Sequence, residues 1–181
     1  MLRIILQILG VLLLLLGLTL VTLRIDNRNA DGPSILFPGG VLVSGELHSG
    51  AEPDWSFTDE VPTIELQLVD PASSRRILIM ESANKVYVPS GYMRSMLGRL
   101  WKDWAFQADE GSGLAVARIN GFRYERKLVR VTEARVIAGV ASKFAQKYGG
   151  GATPEAIARV EKSVAEGDTW IFEMAPRGQA Q

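Results

Sequence analysis

From Ile4 to Leu23 the chain is aliphatic almost without interruption, with Gln7, Thr19 and Thr22 its only polar side chains. A run of about 20 such residues matches the length a helix needs to cross a hydrocarbon core of roughly 30 Å. Within lipid every backbone N–H and C=O must be paired inside the segment, so the run has to be helical. The competing reading is a cleaved signal peptide. Signal h-regions are shorter, at about 7–15 residues, and end at a small-residue site. Here no Ala-x-Ala follows, and Leu23-Arg24-Ile25-Asp26 is a poor cleavage sequence. The expectation is an uncleaved anchor over residues 1–24, holding the protein in the bilayer through residues 4–23.

That places the chain as a single-pass protein of a bacterial-type inner membrane. Orientation depends on Lys and Arg near the span, and these nearly balance: Arg3 and the terminal amine on one side, Arg24 and Arg28 on the other. The short basic start resembles a signal-anchor, which favours an exported domain.

The remaining residues divide into a polar linker over 25–36, a domain over 37–176 and a flexible tail over 177–181. Asp26, Asn27, Arg28, Asn29, Asp31, Gly32 and Pro33 are turn formers that resist regular structure. The 20 basic and 20 acidic residues of the chain cancel. A nucleic-acid partner is therefore not expected, because such proteins displace counterions with a basic surface. The absence of cysteine excludes disulfides, thiolate metal sites and thiol nucleophiles. His48 is the single histidine. Glu46, His48 and Asp54 form a weak ligand set, and Ser44, His48 and Asp54 make a triad only on paper, without a nucleophile elbow. No metal is expected.

Past the linker the apolar period changes. A strand is expected over 41–47, leaving the Pro38-Gly39-Gly40 turn. Ile64, Leu66 and Leu68 alternate with Glu65 and Gln67, which predicts a half-buried strand over 63–69. An apolar strand over 77–80 and another over 86–89 are expected to pair as a hairpin through a turn at Asn84-Lys85. Met93, Leu97, Leu100 and Trp104 share one stripe at helical spacing. A strand over 114–119 meets Asn120-Gly121, the strongest hairpin signal in the sequence. The return strand over 122–131 is heavily charged and is expected to face solvent or a partner. Two helices follow. One, over 133–148, buries Ile137, Val140, Ala141, Phe144 and Tyr148. The other, opened by Thr153-Pro154, buries Ile157, Val160 and Val164. A strand over 170–174 ends the domain. The fold class is therefore α+β: an N-terminal transmembrane helix plus an antiparallel split β-barrel of six or seven strands flanked by helices.

Three stretches carry a family resemblance: Lys85-Val86-Tyr87-Val88-Pro89-Ser90-Gly91, Arg99-Leu100-Trp101-Lys102, and the segment from Ala117 through Asn120-Gly121 to Val131. They resemble the split β-barrel superfamily of pyridoxamine-phosphate-oxidase-like and deazaflavin-dependent reductase-like proteins. The resemblance implies an FMN or deazaflavin cofactor whose phosphate is held by basic and hydroxyl groups. The matching positions are Ser90, Tyr92, Arg94, Arg99 and Lys102, with Arg75 and Arg76 on a neighbouring strand, and Trp101 as a wall for the ring. It also implies a homodimer, with Arg118 or Arg123 reaching the partner's site. The sequence departs from the family pattern at Lys102, where a proline commonly follows the tryptophan. Met and Leu also stand in the helical segment where flavin binders are more polar. Three readings stay open: a flavin- or deazaflavin-dependent oxidoreductase at the membrane; a non-catalytic binding or envelope-associated module of the same fold, its groove filled by Met93, Met96, Leu97 and Trp101; and an interaction protein that uses the charged hairpin as its contact surface. No catalytic residue is assigned.

Overall fold

The alternating segment at Ile64, Leu66 and Leu68 lies inside the barrel, and the sheet is built around it. A computed structural model of the chain describes residues 1–35, 37–96, 98 and 102–177. The strands are β1 (Glu46–Leu47), β2 (Thr63–Leu68), β3 (Ser73–Leu78), β4 (Met80–Ser82), β5 (Lys85–Ser90), β6 (Leu114–Ile119), β7 (Phe122–Arg130) and β8 (Trp170–Pro176). Seven of them run in the spatial order β3-β2-β6-β7-β8-β5-β4, all antiparallel; β1 adds a short parallel pair to β7. The helices are α1 (Leu2–Asn27), α2 (Asp103–Glu110), α3 (Ala134–Tyr148) and α4 (Pro154–Ala165).

The two edge strands of that order, β3 and β4, are consecutive in the chain and are separated only by Ile79. The sheet therefore curls until its edges meet at one residue, which gives a split barrel in an α+β fold. This corrects the single strand expected over 77–80, since the chain turns a corner at Ile79. Backbone groups at such a corner leave the ladder and need other partners. Tyr148 and Lys147, at the end of α3, supply them. The Ile79 amide donates to the Tyr148 hydroxyl at 3.1 Å, and that hydroxyl shares its proton between the carbonyls of Ile79 (2.7 Å) and Pro62 (2.8 Å). Lys147 Nζ donates to the carbonyls of Thr58, Val61 and Ile79.

Two cores follow from the period-two alternation of the strands. Inside the barrel pack Ile64, Leu66, Leu68, Val86, Val88, Ala117, Ile119, Leu128, Phe172 and Met174, with Trp104 of α2. On the outer face Met80, Tyr87 and Ile171 meet Val140 of α3, backed by Ile137, Phe144, Tyr148 and Val164. Neighbours such as Ile171 and Phe172 thus serve different cores. No residue of α4 is fully buried, so that helix covers α3 without sealing it.

Both two-residue hairpins use left-handed backbone. Asn120 and Gly121 have φ of 49° and 83°, as the sequence demands. The earlier turn is at Ala83-Asn84, φ 54° and 57°, one residue before its expected place. Of the stripe read from Met93, Met93 and Trp104 are both buried in the barrel core, Met96 and Gly98 are helical, and α2 begins at Asp103; Leu97 and Leu100 lie outside the described residues. In β7 the charged face is also not wholly outward. Arg126 is 3% exposed, bonded to both carboxylate oxygens of Glu52 (2.7 and 3.0 Å) and stacked over Trp55 at 4.8 Å.

The N-terminal helix is long and apolar enough to cross a membrane, by criteria that a signal sequence also meets. None of its residues is buried. Thr19 and Thr22 return their hydroxyls to the carbonyls of Leu15 and Leu18, so neither presents an unpaired group. The helix runs through Asp26 and Asn27, into the segment read as linker.

Candidate functional site

The described residues between 28 and 45 have no regular element beyond one bridge, yet they are tied down at several points. Asn27 Nδ2 donates to the carbonyls of Phe37 (3.1 Å) and Pro38 (2.7 Å). Gly39 exchanges two 2.9 Å hydrogen bonds with Ser74 of β3, and the Gly40 amide donates to Ala30. A Cβ on Gly39 would sit 1.9 Å from the Gly32 carbonyl oxygen, so only glycine allows this approach. Further on, Asp31 accepts from the amides of Val43 and Ser44, and Arg118 reaches Asp31 and Glu65, each at 2.6 Å. The hydroxyl of Ser44, then the Val43 amide and Arg118, hold Asp31 well below the usual carboxylate range. Arg123 donates to the carbonyls of Gly45 and Leu42. Both arginines that the resemblance sends to a partner's site are thus engaged within their own chain.

This strap brings the foot of α1 against the β3 edge, and a groove of about 480 Å³ opens between them. Arg24, Arg28, Ser73, Arg75, Trp104 and Gln107 are among its walls. A second hollow of about 210 Å³ continues it past Arg75 and Trp104 to Lys102, Arg76, Ile35 and Phe37. The side chain of Arg75 projects from the inner face of β3, with its guanidinium 5.5 Å from the centre of the Trp104 ring and one hydrogen bond, to Ser73 Oγ. Its Nε is buried without a partner. Burial lowers its pKa to about 10, offset in part by Asp103. Lys102 is also pushed down, first by burial and then by Arg75. Two cations therefore sit in one poorly hydrated place. Among the described residues neither Arg75 nor Lys102 has an ion pair, and the same holds for Arg24 and Arg28.

The residues matched to a flavin phosphate are dispersed. Ser90 is fully buried at the end of β5, its hydroxyl without a partner. Tyr92, 72% exposed with φ 63°, stands at a different cavity of about 390 Å³, lined by Met80, Val140, Phe144, Val160 and Ile171. Arg94 is exposed to solvent, and Lys102 lines the hollow beside Arg75. Arg99 and Trp101 lie outside the described residues. The described members of the set converge on no common cavity. Of the side chains read as filling the groove, Met93 is buried in the barrel core, Met96 is exposed, and Leu97 and Trp101 are not among those described. His48 faces Tyr124 at 5.1 Å between ring centres and places Nε2 2.8 Å from the Ala51 carbonyl.

No family model matches the chain, and no curated protein matches it. Among solved structures it is similar to the conserved hypothetical protein Rv2991 from Mycobacterium tuberculosis, with 12% sequence identity and a TM-score of 0.47, over 67% of this chain and 76% of that one. At this identity and score the likeness transfers neither function nor site residues.

Arg24 and Arg28 entered the sequence analysis only as topology signals, and Arg75 only as a neighbour of the phosphate set. Nothing in their spacing announces the groove, because residues 24, 75 and 102 meet only through the strap.

Proposed function

We propose that this chain is a single-pass membrane protein whose split barrel is a non-catalytic binding module of the pyridoxamine-phosphate-oxidase-like superfamily, and that its ligand is an anion held in the groove at the foot of α1. One observation carries the reading: Arg75 and Lys102 are partly buried where the groove meets its extension, with Arg24 and Arg28 exposed at its mouth; none of the four has an ion pair among the described residues, although the Asp103 carboxylate also lines the groove. A desolvated cation left unpaired costs stability, and folded chains tolerate the cost where a ligand supplies the missing charge. The dispersal of Ser90, Tyr92, Arg94 and Lys102 favours this module over a flavin-dependent reductase. The anchor then keeps the groove at the bilayer surface, with the barrel on the exported side.

The test uses the full chain in neutral detergent. Isothermal titration with inorganic pyrophosphate should show saturable binding that Arg75→Gln and Lys102→Gln each weaken. Separately, FMN and a deazaflavin should wash off during gel filtration and leave the protein colourless. A chromophore that stays bound would restore the oxidoreductase reading and remove this one.

A further inference from the structure

We propose that the anion is the phosphate of an anionic phospholipid, drawn from the leaflet at which α1 leaves the membrane. This rests on the reading of the chain as membrane-spanning and of the groove as its ligand site.

Height is the first argument. The apolar run of α1 ends at Leu23, so Arg24, the next residue, and Arg28, at the helix C-cap, stand where a bilayer presents its headgroups. The groove they line is at that same level, because Asn27 fastens the helix end to the strap and Gly39 fastens the strap to β3. A lipid phosphate reaches the groove without leaving its leaflet.

Charge is the second argument. Arg24 and Arg28 have a competing explanation, since cations at a helix C-terminus complement its dipole. That explanation does not extend to Arg75 and Lys102, which belong to β3 and to the residue before α2. Arg75 offers a guanidinium fork, the geometry suited to phosphate oxygens, and its unpartnered Nε is buried beside the groove.

The third argument is the apolar margin. A lipid phosphate carries glycerol and acyl chains with it, so its site needs apolar neighbours on the membrane side. The hollow continuing the groove is lined by Ile35, Phe37 and Pro38, and Ile35 is almost fully exposed. An isolated exposed isoleucine needs no explanation. Ile35 instead shares a hollow with Arg75 and Lys102, a few residues past the end of a membrane-length helix, and that combination suits a charged group with a greasy tail. By contrast Arg118, Arg126, Arg130 and Lys143 are each ion-paired, and Arg123 and Lys147 donate to backbone carbonyls.

The full chain in neutral detergent, offered an equal mixture of phosphatidylglycerol and phosphatidylcholine, is read by native mass spectrometry. The expected result is preferential retention of one phosphatidylglycerol, weakened about fivefold for each cation removed in Arg75→Gln and Lys102→Gln. Arg3→Gln, at the far end of α1, should leave retention unchanged. If Arg75→Gln loses its fold, Arg28→Gln at the exposed helix cap carries the same expectation. Equal retention of both lipids, together with saturable pyrophosphate binding, overturns the lipid assignment and leaves the anion site standing. Failure of lipid and pyrophosphate alike overturns both. Equal losses in Arg3→Gln and Arg75→Gln reduce the retention to general attraction between basic residues and anionic lipid, and also overturn the proposal.

Discussion

Arg118 and Arg75 are both partly withdrawn from water at the rim of one barrel, within reach of the same strap, yet they live in opposite surroundings. Arg118, 13% exposed, meets Asp31, Glu65 and the Ser44 hydroxyl. Its pKa is raised because these contacts outweigh its burial. Arg75 meets one hydroxyl and an indole face, and burial lowers its pKa. A cation whose neighbours are all in place is part of the framework. A cation short of partners is where the proposed anion would supply the missing charge.

That contrast can be broken by measurement. The largest effect is expected from Arg118→Met, which leaves Asp31 and Glu65 without their shared partner. Loss of about 3 kcal/mol of folding stability, read by denaturant titration of the full chain in detergent, is the expected outcome. Lys147→Met should cost about 2 kcal/mol, since a charged donor is withdrawn from three backbone carbonyls at the Ile79 corner. A loss under half a kcal/mol would show that water takes over those carbonyls.

Acid should act through Asp31. Its folded pKa lies below its unfolded value, so its contribution is complete above the unfolded pKa, near 3.8, and is lost as pH falls beneath it. The denaturation midpoint should therefore drop between about pH 4 and pH 2, and Asp31→Asn should flatten that slope. An unchanged slope would mean that the strap is not held through this carboxylate. Arg75→Gln should move stability the other way, by at most about 1 kcal/mol of gain, because an unpaired cation is removed. If it costs as much as Arg118→Met, the distinction between the two arginines fails. Smallest of all is Lys85→Gln. Lys85 pairs with Glu173 at 2.9 Å but is 57% exposed, so a change within about 0.5 kcal/mol is expected. That result would show that burial as well as pairing gives Arg118 its weight.

Much of the architecture was legible because it depends on local periodicity. The alternation at Ile64, Leu66 and Leu68, the Asn120-Gly121 turn and the apolar stripe of α3 each state their own geometry within a few residues. The corner at Ile79 was not legible. Its apolar neighbours read as one strand, and the partners that hold it, Lys147 and Tyr148, lie far along the chain. Arg126 was misread for a related reason: a charge in a strand looks solvent-facing until its carboxylate partner, Glu52, 74 residues earlier in the chain, is known. The groove was the least legible feature, since its cations come from α1, β3 and the start of α2 and are assembled by a segment whose composition suggested slack.

That segment changes what the anchor does. Eighteen free residues would let a domain wander by roughly 20–25 Å from its tether. Fastened at Asn27, Asp31 and Gly39, the strap turns the tether from a leash into a bracket. The strap thereby sets the position of the barrel relative to the foot of α1, and on the proposed membrane-spanning reading it also sets the barrel's distance from the bilayer. On that reading the barrel meets a partner at one altitude and in one orientation, so a partner's height is selected before any side chain touches it.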